Sequence, residues 1–302
     1  MEVTFLGTSG CIPTEKRGLS ALHLDYLGEH MLFDCGEGTQ RQMRIAGLNF
    51  MNLKNIYITH LHADHFLGLG GMMQSMDFLE RKDILTIHGP QGIEESVEKL
   101  ITIGTFQLDH LTVKVNEIDE GIVYRGERYT VSAAKTIHSK SSVAYCFTED
   151  PHRKFNKPKA LELGIPEGKL FSKLQNGESV EVNGKTITED MVLMDPIPGR
   201  KLVYTGDTRP CKSVTDLSTN ADLLIHEAMF SQEDIESTKD AAHSTTIQAA
   251  EIAKKANVKQ LALTHISQRY TEPEKLLTEA QSIFPNTVIA EDFLKIQIPK
   301  HW

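Results

Sequence analysis

Along the chain, short apolar runs alternate with stretches in which apolar residues recur every three or four positions, and the two periods predict strands and helices respectively. Strands are expected over 3–6, 21–24, 31–34, 56–59, 85–88, 111–115, 129–137, 143–148, 202–205, 223–226, 261–264 and 294–298. Helices are expected over 37–46, 65–81, 93–103, 245–255 and 273–282. In 245–255 the residues Ile247, Ala250, Ile252 and Ala253 set apolar groups on one face, and Ser244 or Thr245 can cap the start. Helices among both early and late strands favour an α/β class with helices packed outside one or two sheets.

One segment breaks this texture. Residues 150–176 hold Pro151, Pro158, Pro166, Gly164 and Gly168, with Arg153, Lys154, Lys157, Lys159, Lys169 and Lys173 against Asp150, Glu162 and Glu167. It reads as an inserted basic arm, either a solvated loop or a phosphate-binding surface, within a single domain spanning 1–302.

Composition narrows the function classes. The 302 residues are 40% hydrophobic and 24% charged, enough to bury a large core and too apolar for a disordered chain. The net charge of -9 argues against non-specific coating of nucleic acid while leaving room for a local basic surface. No run approaches the roughly 18 apolar residues of a membrane helix, and the first residues read as a strand rather than a secretory signal. The expectation is a cytoplasmic protein with no membrane association. The 4 cysteines are scattered without a C-x-x-C pair, so neither a disulfide framework nor a thiolate zinc site is indicated. The 13 histidines make metal ligation or acid–base chemistry the first thing to look for.

That chemistry has an address. Directly after the apolar run Ile56, Tyr57, Ile58 comes His60-Leu61-His62-Ala63-Asp64-His65, an H-x-H-x-D-H cluster. In an extended segment His60 and His62 project to one side, and a turn at Ala63 lets Asp64 and His65 enter from another, so one loop can serve two adjacent ions. Imidazole and carboxylate without thiolate suit zinc, with manganese or iron as substitutes. Further ligands are needed, and His138, Asp207 and His265 each follow an apolar run at an expected strand end.

With these residues the chain resembles the metallo-β-lactamase superfamily and, within it, the ribonuclease Z family. The resemblance runs almost end to end. It includes Phe5-Leu6-Gly7-Thr8-Ser9-Gly10, Asp34-Cys35-Gly36-Glu37-Gly38-Thr39, Tyr204-Thr205-Gly206-Asp207, His226-Glu227-Ala228, Ala242-His243-Ser244-Thr245 and His265-Ile266-Ser267-Gln268-Arg269-Tyr270. The stretch from Lys159 to Pro166 is similar to the family's tRNA-gripping exosite, although Gly168-Lys169 stands where many relatives have Gly-Pro.

The resemblance implies a four-layer αββα sandwich carrying the arm, with His60, His62 and His138 on one ion, Asp64, His65 and His265 on a second, and Asp207 bridging. It implies two Zn2+ per subunit and a homodimer. The implied activity is an endoribonuclease that removes the 3′ trailer from precursor tRNA, leaving a tRNA 3′-hydroxyl and a 5′-phosphate on the trailer. Asp64 would accept or orient the proton of the attacking water, and His243, oriented by Glu227, would protonate the departing oxygen. Asp34 would support a histidine ligand. Arg269 and the arm's Arg153, Lys154, Lys157, Lys159 and Lys173 would contact tRNA phosphates. A small-molecule phosphodiesterase using the same metal pair is the principal alternative; a thioester or lactam hydrolase would lack the Glu227 and His243 motifs, and a non-catalytic RNA-binding module would not need them.

Overall fold

The computed structural model describes residues 1–105 and 107–301, which divide into two compact units. The first comprises 1–148 and 201–299, and its frame is two seven-stranded sheets. One sheet runs Lys295–Gln297, Glu2–Gly7, Ala21–Tyr26, Glu29–Phe33, Leu53–Tyr57, Leu85–Pro90, Val113–Ile118 in spatial order; the other runs Thr287–Ile289, Gln260–Thr264, Leu223–Glu227, Lys201–Tyr204, Val143–Glu149, Tyr129–Lys135, Gly121–Arg125.

Strand alternation explains the layering. In Glu29–Phe33, Met31 and Phe33 enter the core between the sheets, while Leu32 joins Met43, Met72, Met73, Ile93 and Val97 on the outer, helix-covered face. In Val143–Glu149, Val143, Tyr145 and Phe147 face inward, and Ala144 and Cys146 pack outward with Ala249, Ile252, Ala253 and Leu276. Strands buried on both faces read as continuous apolar runs, which is why the sequence displays them so plainly. The result is the expected αββα sandwich.

One close approach sets a helix position. A Cβ added to Gly68 would lie 2.2 Å from the Gly36 carbonyl oxygen, so the helix Gly68–Phe78 can sit this near the first sheet only with glycine there. The helix expected over 65–81 is in fact two, Ala63–Phe66 and Gly68–Phe78, because the first turn begins inside the metal loop, where His62 is still extended (φ -75°, ψ 145°). The strand expected over 31–34 stops at Phe33, and Asp34 takes a left-handed φ of 57°.

The second unit comprises 149–200 with 300–301. It contains the basic segment and extends beyond it, because His152–Phe155 pairs antiparallel with Leu193–Ile197 and thereby recruits the returning chain. It has its own small core of Ala160, Ile165, Leu174, Val180, Ile187 and Val192. The Arg200 guanidinium and backbone N–H donate to the Glu149 carboxylate (2.8 to 3.1 Å), closing the two ends of the unit against each other.

Of the two candidate caps, Thr245 is the one used. Its hydroxyl accepts from Gln248 N, and the Gln248 side chain accepts from Thr245 N, forming a capping box on the helix Thr246–Lys255. Thr245→Ala removes half of this box and should lower the unfolding free energy by about 1 kcal/mol, read from urea denaturation.

Candidate metal centre and active site

Most chemical residues of the first unit are delivered by strand ends, His243 coming instead from the turn before the helix Thr246–Lys255. The strand Leu53–Tyr57 leads into the loop carrying His60 to His65, Lys201–Tyr204 into Asp207, and Gln260–Thr264 into His265, while Glu227 ends Leu223–Glu227. The last three strands are parallel neighbours, so their carboxyl ends open at one edge of the sandwich, where α/β sheets place ligands.

The seven residues singled out as ligands converge. His60, His62, His138 and Asp207 form one group and Asp64, His65 and His265 another, with the ligating atoms of each within 4.8 Å of one another. Asp207 lies between the two groups: its Oδ2 is 3.6 Å from His60 Nε2, 3.5 Å from His138 Nε2 and 3.4 Å from His65 Nε2, and its Oδ1 is 3.4 Å from His265 Nε2. His265 Nε2 is also 3.3 Å from Asp64 Oδ2. Among the described residues, buried His60 Nε2 and Asp207 Oδ1 have no hydrogen-bond partner, which costs free energy unless a cation takes their lone pairs. The donor set fits divalent cations of the borderline class.

The backbone is shaped to this end. Gly206 has φ 56°, and an added Cβ would sit 2.7 Å from the Thr59 side chain, so the Asp207 loop and the His60 loop touch through a residue that must lack a side chain. His265 adopts φ 57°, a costly conformation for a histidine, held because Ile266–Ser267 pairs with Ser9–Gly10.

Neighbouring groups fix which nitrogen faces the cluster. Asp34 Oδ2 accepts from His65 Nδ1 at 2.7 Å, and the Ala242 carbonyl accepts from His138 Nδ1 at 3.0 Å, leaving both Nε2 atoms for the centre. Asp34 is itself clamped by the Thr59 N–H (2.7 Å), the Thr59 hydroxyl and the Tyr204 hydroxyl (2.8 Å). Tyr204 was missed as a functional residue because strand alternation marks it as core, where it does lie. His60 and His138 are pushed below the usual imidazole range by burial, keeping their lone pairs available. Burial opposes charge on His65 too, but the carboxylates of Asp207 and Asp34 hold it well above that range. Asp64 and Asp207, though buried, are held far below the ordinary carboxylate range by the surrounding histidines.

Beside this cluster His243 Nδ1 donates to Glu227 Oε1 at 2.9 Å and lies 3.9 Å from Asp207 Oδ2. Glu227 is fixed by the N–H groups of Thr208 (2.9 Å) and Met229 (3.2 Å). Burial disfavours the charged ring, yet Glu227 and the adjacent groups push the His243 pKa up to about 11, so the ring carries a proton at neutral pH.

Residues 1–155 match the family model described as Anti-Pycsar protein Apyc1, a stretch that ends before Asp207, Glu227, His243 and His265, and residues 183–266 match the Beta-lactamase superfamily domain. Over 301 residues, covering 99% of this chain and 98% of the relative, the sequence is 46% identical to the ribonuclease Z of Methanosarcina acetivorans. It is likewise 46% identical to that of Archaeoglobus fulgidus over 98% of this chain and 97% of the relative. The chain belongs to the ribonuclease Z family. Among solved structures, the short form of human tRNase Z superposes with a TM-score of 0.73 at 28% identity, covering 99% of this chain and 100% of that one. The metallo-β-lactamase fold of this ribonuclease Z family member implies divalent metal ions.

The remaining candidates are distributed differently. Arg269 is exposed, with its guanidinium 5.1 Å from the centre of the Phe230 ring and 3.9 Å from Asp234 Oδ1. In the second unit Arg153 is engaged internally, donating to Asp190 Oδ1 at 2.6 Å and to the Met194 carbonyl at 2.8 Å. Lys157 pairs with Glu167 (2.8 Å) and Lys159 with Glu162 (3.5 Å); Lys154, Lys157, Lys159 and Lys173 are exposed.

Asp34→Asn loses the charged acceptor for His65 and places an amide N–H against existing donors. Metal affinity should fall about 10- to 100-fold, measured by competition with a chromogenic chelator.

Proposed function

We propose that this ribonuclease Z family member removes the 3′ trailer of precursor tRNA, leaving a 3′-hydroxyl on the tRNA and a 5′-phosphate on the trailer. The observation that carries the reading is the His243 ring held on the Glu227 carboxylate beside Asp207, in a chain whose kinship with ribonucleases Z extends over nearly its whole length. A lactam or thioester hydrolase would not be expected to carry the His226-Glu227-Ala228 and Ala242-His243-Ser244-Thr245 motifs. A small-molecule phosphodiesterase would need the same centre but no exposed basic arm.

We assign the centre two Zn2+ per subunit, with Mn2+ or Fe2+ as substitutes: His60, His62 and His138 on one, Asp64, His65 and His265 on the other, and Asp207 to both. Bound there, the ions supply Lewis-acid charge to the scissile phosphate and lower the pKa of water. Asp64 takes up or orients the proton released by the attacking water. His243, with Nδ1 committed to Glu227, donates from Nε2 to the departing 3′ oxygen, and Glu227 stabilises the ring in that orientation. Arg269, stiffened over Phe230, offers a two-pronged donor to a phosphate.

The second unit acts as the exosite arm. Its exposed Lys154, Lys157, Lys159 and Lys173 contact tRNA phosphates, and Arg153 adds charge from a fixed position. Such contacts recognise the folded RNA by shape and make binding steeply salt-dependent. A homodimer is supported by exposed Phe78, Leu79 and Ile103, which stand around a concavity of about 960 Å3 also lined by Arg41 and Arg44. A cytoplasmic location suits a tRNA substrate, and among the described residues no helix is long and apolar enough to cross a membrane.

The test is cleavage of end-labelled precursor tRNA by zinc-loaded protein. A single cut near the base of the acceptor stem is expected, absent from chelated protein and from Asp64→Ala. His243→Ala should retain its metal and slow cleavage by about 10²- to 10⁴-fold. No tRNA cut alongside rapid hydrolysis of a cyclic nucleotide would move the reading to the phosphodiesterase. Replacing 151–198 with a short glycine linker should reduce precursor cleavage far more than hydrolysis of bis(p-nitrophenyl) phosphate; equal losses on the two substrates would remove the docking role.

A further inference from the structure

Asp292 touches none of the residues assigned to the centre, yet it holds the loop that does. It sits just beyond the edge strand Thr287–Ile289, with its side chain turned toward the chain's first loop. Its Oδ1 accepts from the Thr8 hydroxyl at 2.8 Å, and its Oδ2 accepts from the Gly18 N–H at 2.7 Å and from Gln42 Nε2 at 2.6 Å. Thr8 and Gly18 are the two feet of a loop closed by Ser9 N–H to the Gly18 carbonyl (2.9 Å). Arg17 fastens the same base, donating to the Thr8 hydroxyl and to the Ala290 carbonyl. A Cβ on Gly18 would come within 3.0 Å of Gln42 Nε2 and 3.3 Å of Asp292 Oδ2, so the carboxylate reaches the N–H across a position without a side chain.

What this loop presents is specific. At its tip Cys11 takes a left-handed φ of 59°, and its backbone N–H donates to Asp64 Oδ2 at 2.9 Å, the same oxygen that lies 3.3 Å from His265 Nε2. One step back, Ser9–Gly10 pairs with Ile266–Ser267, and Thr8 O accepts from Ile266 N at 2.9 Å, which holds His265 in its strained conformation. A Cβ on Gly10 would collide with the His265 ring at 2.9 Å. The loop therefore touches two of the four ligands assigned to one ion. Among the described residues, no hydrogen bond of this loop reaches His60, His62 or His138.

From this arrangement we propose that Asp292 is a positioning residue for one half of the centre: by clamping Thr8 and Gly18 it sets Asp64 and His265, and so the ion held by Asp64, His65 and His265, while His60, His62 and His138, which share only Asp207 with that half, keep their ion. The proposal rests on the ligand assignment made above. Asp292→Asn is the variant of choice, since an amide keeps the volume but cannot accept from donors on both oxygens.

The experiment titrates purified, metal-free protein with zinc against a competing chelator and measures kcat and KM on precursor tRNA. Wild-type protein should take up two ions. Asp292→Asn should keep one at wild-type affinity, bind the other about 10- to 100-fold more weakly, and at limiting zinc lose kcat with little change in KM. Thr8→Val, which removes only the Oδ1 contact and the Arg17 contact, should act in the same direction by about 3- to 10-fold. Both ions bound at wild-type affinity by Asp292→Asn, or both sites weakened alike together with a lowered Tm, would overturn the proposal. Uptake of fewer than two ions by wild-type protein would overturn the ligand assignment first, and the proposal with it.

Discussion

The Asp34 carboxylate is the point on which the centre hangs. It is fully buried, and it ends a strand of the first sheet in a left-handed turn. It accepts from Thr59 at the root of the metal loop, from His65 within it, and from Tyr204 of the second sheet. An isolated buried carboxylate would be intolerable; one with donors on every side becomes a stiff junction. Through it the two sheets, whose shared core is apolar, acquire a directional polar cross-link at the edge where the candidate ligands lie. Val143 N–H on the Thr59 carbonyl and the Tyr145 hydroxyl on the Ile58 carbonyl add further cross-links between the sheets.

From that junction the site divides the labour between strand ends and supporting loops. Strand ends supply the atoms that would meet metal and phosphate, because the parallel strands cannot move independently. Supporting groups choose their orientation: a carbonyl for His138, a carboxylate for His65, a glutamate for His243. Charge follows from the same geometry. Carboxylates enclosed by imidazoles stay ionised despite burial, and His243 keeps a proton that an exposed histidine would release.

Much of this was legible in the sequence, for identifiable reasons. Strands such as Val143–Glu149 bury both faces and announce themselves as apolar runs, and a cluster like His60 to His65 has no structural role that would produce it. What the sequence did not display depends on non-local pairing. Gly121–Arg125 leaves Ile122 exposed and lacks a clean alternation, and Thr287–Ile289 is too short for a period to register. The functional part of Tyr204 is a single hydroxyl on a side chain whose ring is ordinary core. The extent of the second unit was hidden because Leu193–Ile197 resembles a loop until it meets His152–Phe155. Cys11 and Asp292 act through backbone and carboxylate contacts that no spacing rule encodes.

The small second core, closed on itself by Glu149 and Arg200, has a consequence for how such a protein can change over time. A long excursion whose ends already meet adds little to the cost of ordering the rest of the chain. Substitutions, insertions or wholesale exchange of that excursion can accumulate without being felt by the residues around Asp207. The excursion and the strand ends around Asp207 are then free to diverge at different rates, and one lineage can reshape the first while inheriting the second intact.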